Sequence, residues 1–240
     1  MPVPRRRLHE SAGFVFHVLN RGVRRMTVFE DAPAYGSFLR ALQQGQERTS
    51  IRLLAYCVMP NHFHLVVWPD RDGQLVDFMH WFQMTHSKRW HRYRQTEGVG
   101  ALYQGRFKAF PVQNDEHFLT VCRYVERNPL RAGLVAKAEA WPWSSLGQRC
   151  RNSEGPALGS WPIPPPSNWV AIVNSQETRA ELDAIRSSLS RNVAYGAPDW
   201  ATVVTAQGLG ARASRGRPPS GRPLRGTPSP EPTQPDLRFA

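Results

Sequence analysis

Two short motifs in this chain carry residue types that can do chemistry. "MPNHFHLVVWP" (59–69) sets His62 and His64 around Phe63 at the head of an apolar run. In a strand, residues i and i+2 point to one face, so both imidazoles project together while Phe63, Leu65 and Val67 take the other and hold the strand in the core. An imidazole placed there needs a partner for each ring nitrogen. Paired imidazoles on one strand make half of a metal site; the plain alternative is that the rings only hydrogen-bond. In "CRYVERNP" (122–129), Tyr124 and Asn128 stand four apart, on one helical face and a turn from each other. A carboxamide oxygen can serve as a third ligand, and the phenol beside it as a nucleophile. A buried Tyr–Asn pair, or an asparagine that caps the helix end, remains open. Of six tyrosines, Tyr124 alone has such a partner at i+4 directly before a helix-stopping proline.

Strands and helices must position these motifs. "GFVFHVLNR" (13–21) is rich in β-branched and aromatic residues and predicts a strand. Asp31 is placed to cap a helix whose stripe is Tyr35, Phe38, Leu39 and Leu42. "IRLLAYCVM" (51–59) predicts a second strand, Pro60-Asn61 a turn, and "HFHLVVW" a third strand. Leu75, Phe78, Met79 and Phe82 line a helix over about 73–95. "GRFKAFPVQ" (105–113) reads as a fourth strand, followed by a helix that Asn114 caps and Pro129 stops. The order β-α-β-β-α-β plus a helix points to an α+β class: a ferredoxin-like antiparallel sheet with helices on one face. Residues 1–148 form this domain. A Pro-rich linker is expected over 149–173, then a small helical extension over 174–210 and a disordered basic tail over 211–240. In the extension, Asn174 and Glu177 resemble a capping box, Leu182, Ile185 and Leu189 form a stripe, and Asp199 opens a second short helix.

The 240 residues carry 31 Lys+Arg against 19 Asp+Glu, a net +12. Only Lys88, Lys108 and Lys137 are lysines, so Arg dominates. Arginine's planar fork suits phosphate and guanine, and the excess favours a polyanionic partner. Candidate phosphate contacts are the arm Arg5, Arg6 and Arg7; Arg21, Arg24 and Arg25; Lys88, Arg89, Arg92 and Arg94; and Arg106 and Lys108. For the cations at 88–94 the alternative is simple compensation of a helix dipole, and for Arg106 and Lys108 the flanking of a sheet edge. "RGRP" (215–218) offers a minor-groove hook or a solvated tail. Cys57, Cys122 and Cys150 have no CxxC spacing and suit a reducing compartment. No run approaches the roughly 18 apolar residues of a membrane span, and no secretion signal opens the chain. A cytoplasmic, nucleoid-associated protein without membrane contact is expected.

"MPNHFHLVV", "LYQGRFKAFPV" and "CRYVERNPLRAGLV", in this order and spacing, resemble the REP-associated tyrosine transposases. These are single-tyrosine HUH transposases, in which U is a bulky apolar residue, here Phe63. The opening "GFVFHVLNRG" fits as well, and the resemblance covers about residues 8–148. The segment starting "AYGAPDW" is similar to the C-terminal extension of many members. The resemblance implies a metal-dependent enzyme that cleaves and rejoins single-stranded DNA beside a folded hairpin. By matching positions, His62 and His64 are metal ligands, Asn128 is the amide ligand, Tyr124 is the nucleophile, and the ion is magnesium or manganese. A 5′-phosphotyrosine would keep the energy of the broken bond, so rejoining needs no ATP. Three neutral ligands leave the ion's double charge to polarise the phosphate, and imidazole donors suit manganese better than magnesium. The rival reading is a domesticated DNA-binding regulator of chromosomal repeats that keeps the site as a scaffold. A zinc hydrolase lacks support, because no carboxylate stands at HExxH-like spacing. A monomer is expected, with a dimer as the alternative.

Overall fold

The computed structural model describes residues 11–191, 193–207 and 209. The Arg5–Arg7 arm and the tail with "RGRP" lie outside them. The order is β1 (Val15–Arg21), α1 (Ala32–Thr49), β2 (Arg52–Met59), β3 (His62–Trp68), α2 (Gln74–Arg94), β4 (Lys108–Val112) and α3 (Glu116–Glu126). The strands lie in the order β2-β3-β1-β4, and each neighbouring pair is antiparallel. This is the ferredoxin-like arrangement, and the class is α+β.

Alternation along the strands sorts two cores. Phe16, Val18, Phe63, Leu65 and Val67 face α1 and α2, where Phe38, Leu42, Phe78 and Phe82 close the layer. A side chain of this size gains roughly 1.5–3 kcal/mol on full burial, so this layer anchors the sheet firmly to the two helices. Gly45 permits the approach of the two helices, since a Cβ there would stand 2.9 Å from the Phe78 ring. The two crossover helices therefore share one face, as expected. The opposite face is also covered: Phe118, Val121, Cys122 and Val125 of α3 pack on Val15, Cys57, Val66 and Val112. Hydrophobic spacing marks a helix's apolar side without saying which face of a sheet receives it.

Asp31 caps α1 through Ala34 N at 2.9 Å. For α3 the cap is Asp115, which accepts from His117 N at 2.9 Å, in place of the expected Asn114. Nor does Pro129 end the helical path. Arg127 stays helical, and α4 (Asn128–Arg131) adds a turn. Its proline sits in the first turn, where no N–H partner is needed. Gly133, at φ +70°, closes it.

After α4 come α5 (Ser145–Arg151), α6 (Trp169–Asn174), α7 (Arg179–Arg191) and α8 (Pro198–Ala206). The stretch expected to be a linker is packed. Gly159 N donates to Leu53 O at 2.8 Å and Trp161 Nε1 to Leu54 O at 2.8 Å, along the outer side of β2. At the other margin Tyr195 N donates to Pro111 O at 2.8 Å on β4. Both sheet edges are thus covered, which blocks strand-to-strand association. The capping box in the extension is Thr178 with Glu181, not Asn174 with Glu177. Asn174 ends α6 instead, and Glu177 is taken by arginines. Asp199 lies in the first turn of α8, one residue after Pro198.

Candidate active site

The α3 face of the sheet carries the site. Strand register sets Leu19 opposite His64 and Arg21 opposite His62. The two imidazoles therefore rise from β3 beside the end of β1, and α3 lays Tyr124 across them. Ring centroids stand 5.0 Å apart for His62–His64 and 5.8 Å for His64–Tyr124. All three line a cavity of about 780 Å³ whose remaining wall includes Arg21, Arg25, Lys108 and, from α7, Arg186. Asn128 is buried one helical turn from Tyr124 but is not among the residues lining this cavity.

Each imidazole is fixed through one nitrogen. Asn61 Oδ1 lies 2.6 Å from His62 Nδ1; a carbonyl oxygen only accepts, so Nδ1 carries the proton and Nε2 keeps its lone pair. His64 Nδ1 lies 2.8 Å from Nε2 of His17, a buried histidine on β1. Burial lowers the His17 pKa to about 3. His62 is lowered to about 4, first by burial and then by Arg21 and Arg131. His64 is pushed well below the ordinary value, chiefly by burial and then by its neighbouring histidines. The rings are accordingly neutral at neutral pH, the state a metal ligand requires.

The nucleophile candidate is held from behind. Arg131 sits over the Tyr124 ring, 4.1 Å from its centroid, which suits a cation–π contact. Its Nη1 donates to both Glu177 oxygens at 2.9 Å, and its Nη2 to Tyr124 O at 3.3 Å. Arg127 Nη1 donates to Val173 O at 2.9 Å and Asn174 O at 2.7 Å. Fully buried Glu126 accepts from Ser145 Oγ at 2.5 Å, from Trp169 Nε1 at 2.8 Å, and from Arg149. The C-terminal segments thus staple α3 to the sheet.

The donors present suit a divalent ion. His62 and His64 offer neutral nitrogens whose other ring positions are already engaged, the pattern of ligating histidines. Among the described residues, no group of three or more His, Cys, Asp or Glu is arranged to hold a metal. The pair would depend on an amide oxygen such as that of Asn128.

Of the cations singled out from sequence, Arg21, Arg25 and Lys108 reach the cavity. Arg24 and Arg106 are exposed. Arg89 donates to Gln44 Oε1 at 2.6 Å and Arg94 pairs with Glu30 at 2.8 Å, so both brace α2. Lys88 and Arg92 line a separate groove. Sequence reasoning missed His17, Asn61, Arg131, Glu177 and Arg186. His17 carried a usable signal, a histidine inside the apolar run "FVFHVL"; the others depend on folding alone.

Residues 11–128 match the model of a family described as IS200-like transposases. A Haemophilus influenzae protein assigned as a REP-associated tyrosine transposase is 23% identical over 117 residues, 45% of this chain and 66% of that protein, just under two thirds of its length. A solved REP-associated tyrosine transposase bound to a REP hairpin is 20% identical, with a TM-score of 0.48 over 63% of this chain and 86% of that one. A crystal structure of a Deinococcus radiodurans protein described as a transposase is 19% identical, with a TM-score of 0.35 over 52% and 96%. The matched segment, residues 11–128, is the one that holds both histidines, the tyrosine and the asparagine, and through it the chain is similar to the IS200-like transposases.

Proposed function

We propose that the protein is a metal-dependent transposase that cleaves and rejoins single-stranded DNA beside hairpin-forming repeats through a 5′-phosphotyrosine. The observation that carries this reading is the single cavity in which Tyr124 meets His62 and His64 under a rim of Arg21, Arg25, Lys108 and Arg186. A phosphodiester resists anionic nucleophiles because its own charge repels them. Four cations around one phenol offset that repulsion and hold the strand. Bound by His62, His64 and Asn128, magnesium or manganese would supply Lewis-acid polarisation of the scissile phosphate. Tyr124 Oη gives up its proton and attacks phosphorus. The P–O3′ bond breaks, the 3′ oxygen takes up a proton, and the 5′-phosphate stays on the tyrosine. The reverse attack by a different 3′ hydroxyl rejoins the DNA with no net loss of phosphodiester bonds. Arg131 and Glu177 keep the ring oriented throughout. One chain supplies both the phenol and the imidazoles, so a monomer suffices. Among the described residues no helix is long and apolar enough to cross a membrane.

The test uses hairpin DNA with single-stranded flanks, labelled at its 3′ end, with and without manganese. A covalent protein–DNA adduct is expected with the ion and absent in Tyr124→Phe. His64→Ala should lose the adduct and still retain DNA. An adduct that persists in Tyr124→Phe would place the nucleophile elsewhere. DNA retention with no adduct on any hairpin repeat would make the chain a DNA-binding regulator.

A further inference from the structure

Two consecutive arginines, Arg24 and Arg25, follow β1 in left-handed backbone, at φ +52° and +62°. That conformation is uncommon outside glycine, asparagine and aspartate, and it persists where the surroundings hold it. Arg25 lines the histidine cavity, as do Asn61 and His62. We propose that Asn61 is a positioning residue that acts through both ends of its amide. The carbonyl sets His62 for the ion, and the amino group holds the turn that offers Arg25 to the DNA strand. The identity of ion and strand rests on the DNA-cleaving reading above; the two hydrogen bonds do not.

Main-chain bonds weld the Pro60-Asn61 turn to the segment after β1 on either side of the arginines. Gly22 N donates to Asn61 O at 2.8 Å, and Val28 N and Phe29 N donate to Pro60 O at 2.8 Å and 3.0 Å. A Cβ on Gly22 would stand 2.6 Å from Met26 O, so the chain closes tightly beneath the arginines. These bonds anchor the flanks of the turn. Its crest is reached by a side chain: Asn61 Nδ2 donates to Arg25 O at 3.3 Å.

That bond also decides which way the amide faces. A main-chain carbonyl only accepts, so the end of Asn61 that meets Arg25 is the amino group. The other end is then the carbonyl, and it lies 2.6 Å from His62 Nδ1. It accepts in its turn, which puts the imidazole proton on Nδ1 and leaves the Nε2 lone pair for an ion. The main chain of Arg25 therefore reaches the ligand through one amide. If the turn relaxed, the amide would be free to rotate and set its amino group against Nδ1, the arrangement that suits the wrong tautomer. Alanine at this position does neither task. Aspartate does the first alone, because its oxygens accept from Nδ1 and repel the Arg25 carbonyl.

Two quantities that need no turnover are measured on the full chain. One is manganese affinity without DNA, from the electron paramagnetic resonance signal of the free ion. The other is retention of hairpin DNA with single-stranded flanks in the presence of chelator. Asn61→Ala should bind manganese about 10- to 100-fold more weakly than the parent, and Asn61→Asp should restore the affinity. Arg25→Ala should weaken DNA retention about tenfold, the equivalent of one charge-assisted hydrogen bond. Added to Asn61→Asp, the same change should cost under about threefold, because the turn no longer offers Arg25. The new aspartate charge also repels DNA, but a charge effect adds to the loss of Arg25, whereas a loosened turn replaces it. The main-chain bonds at Pro60 and Asn61 survive in every variant, so all are expected to fold, and melting temperatures check this. The proposal is overturned if Asn61→Ala and the parent bind manganese equally or not at all, or if Asn61→Asp binds it as weakly as Asn61→Ala. Full additivity of Asn61→Asp and Arg25→Ala on DNA overturns it too. Adduct formation is scored on the same DNA. These shifts without an adduct in the parent sink the cleavage reading and spare Asn61; an adduct without the shifts does the opposite.

Discussion

Glu177→Gln probes the clamp behind Tyr124, the proposed nucleophile. The Glu177 side chain is 5% exposed, and its partners Arg131 and Arg127 are 18% and 13% exposed. Solvent therefore screens these pairs little, and removing one partner of a buried ion pair costs about 3–5 kcal/mol. Both arginines keep backbone acceptors, at Tyr124 O for Arg131 and at Val173 O and Asn174 O for Arg127. Glutamine also retains one carbonyl oxygen. The lower end, about 3 kcal/mol, is thus expected, or a fall in melting temperature of roughly 6–12 °C for a chain of this size. Glu181→Gln is the control: its pair with Arg123, at 3.3 Å, involves a carboxylate 36% exposed and should be worth under about 1 kcal/mol. Glutamine can still serve in its capping box. Thermal denaturation compares the two variants, and adduct formation per folded molecule is followed in parallel with DNA retention. Glu177→Gln should slow adduct formation without weakening retention, because Arg131, left with one carbonyl oxygen in place of a carboxylate, holds the Tyr124 ring less firmly. Equal melting shifts for both variants, or an unchanged adduct rate in folded Glu177→Gln, would refute the clamp.

Other consequences follow from the same geometry. His17→Phe removes the partner of His64 Nδ1 and should raise the manganese concentration for half-maximal adduct formation about 10- to 100-fold, with partial recovery in His17→Gln; an unchanged titration would make His17 a packing residue. Arg186→Ala takes one cation from the cavity rim and should slow adduct formation roughly tenfold while hairpin retention stays level; parent-like kinetics would exclude α7 from the site. His86 is buried beside Tyr103 Oη, 2.7 Å away, and burial followed by Arg89 lowers its pKa to about 3. Below pH 6.5 the unfolded chain takes up this proton and the folded chain does not, so stability falls as pH drops from 6.5 towards 3. The slope from this one group approaches 1.4 kcal/mol per pH unit. Urea melts of the parent and His86→Gln at pH 7 and pH 5 should differ by that component, and identical slopes would refute it.

The fold was largely legible because each element has a clean period. Alternation in "HFHLVVW" puts Phe63, Leu65 and Val67 inward, and the stripe Phe38–Leu42 with Phe78–Phe82 supplies the opposing layer. The histidine pair and the Tyr124–Asn128 spacing were legible for the same reason: parity on a strand and one turn on a helix are local quantities. What is not local was hidden. The 149–173 stretch reads as a linker because Pro and Gly suppress periodicity, yet tryptophans anchor it: Trp161 donates to β2 and Trp169 to Glu126. Two cap positions shifted by one to four residues, because several neighbouring polar side chains compete for the same N–H groups. Arg186 lies 62 residues beyond Tyr124, and no spacing rule links them. The cations at 88–94 split between brace and groove according to which neighbour lies within reach, a property of the packed helix pair.

The central claim is that the Tyr124 phenol carries the 5′ end of the cut DNA. Mass spectrometry of the nuclease- and protease-treated adduct measures this directly. The account predicts a single modified peptide, with the nucleotide's 5′-phosphate esterified to Tyr124 and a free 3′ hydroxyl on the released strand. A phosphate found on any other residue, or a 3′-phosphoryl linkage, would contradict it.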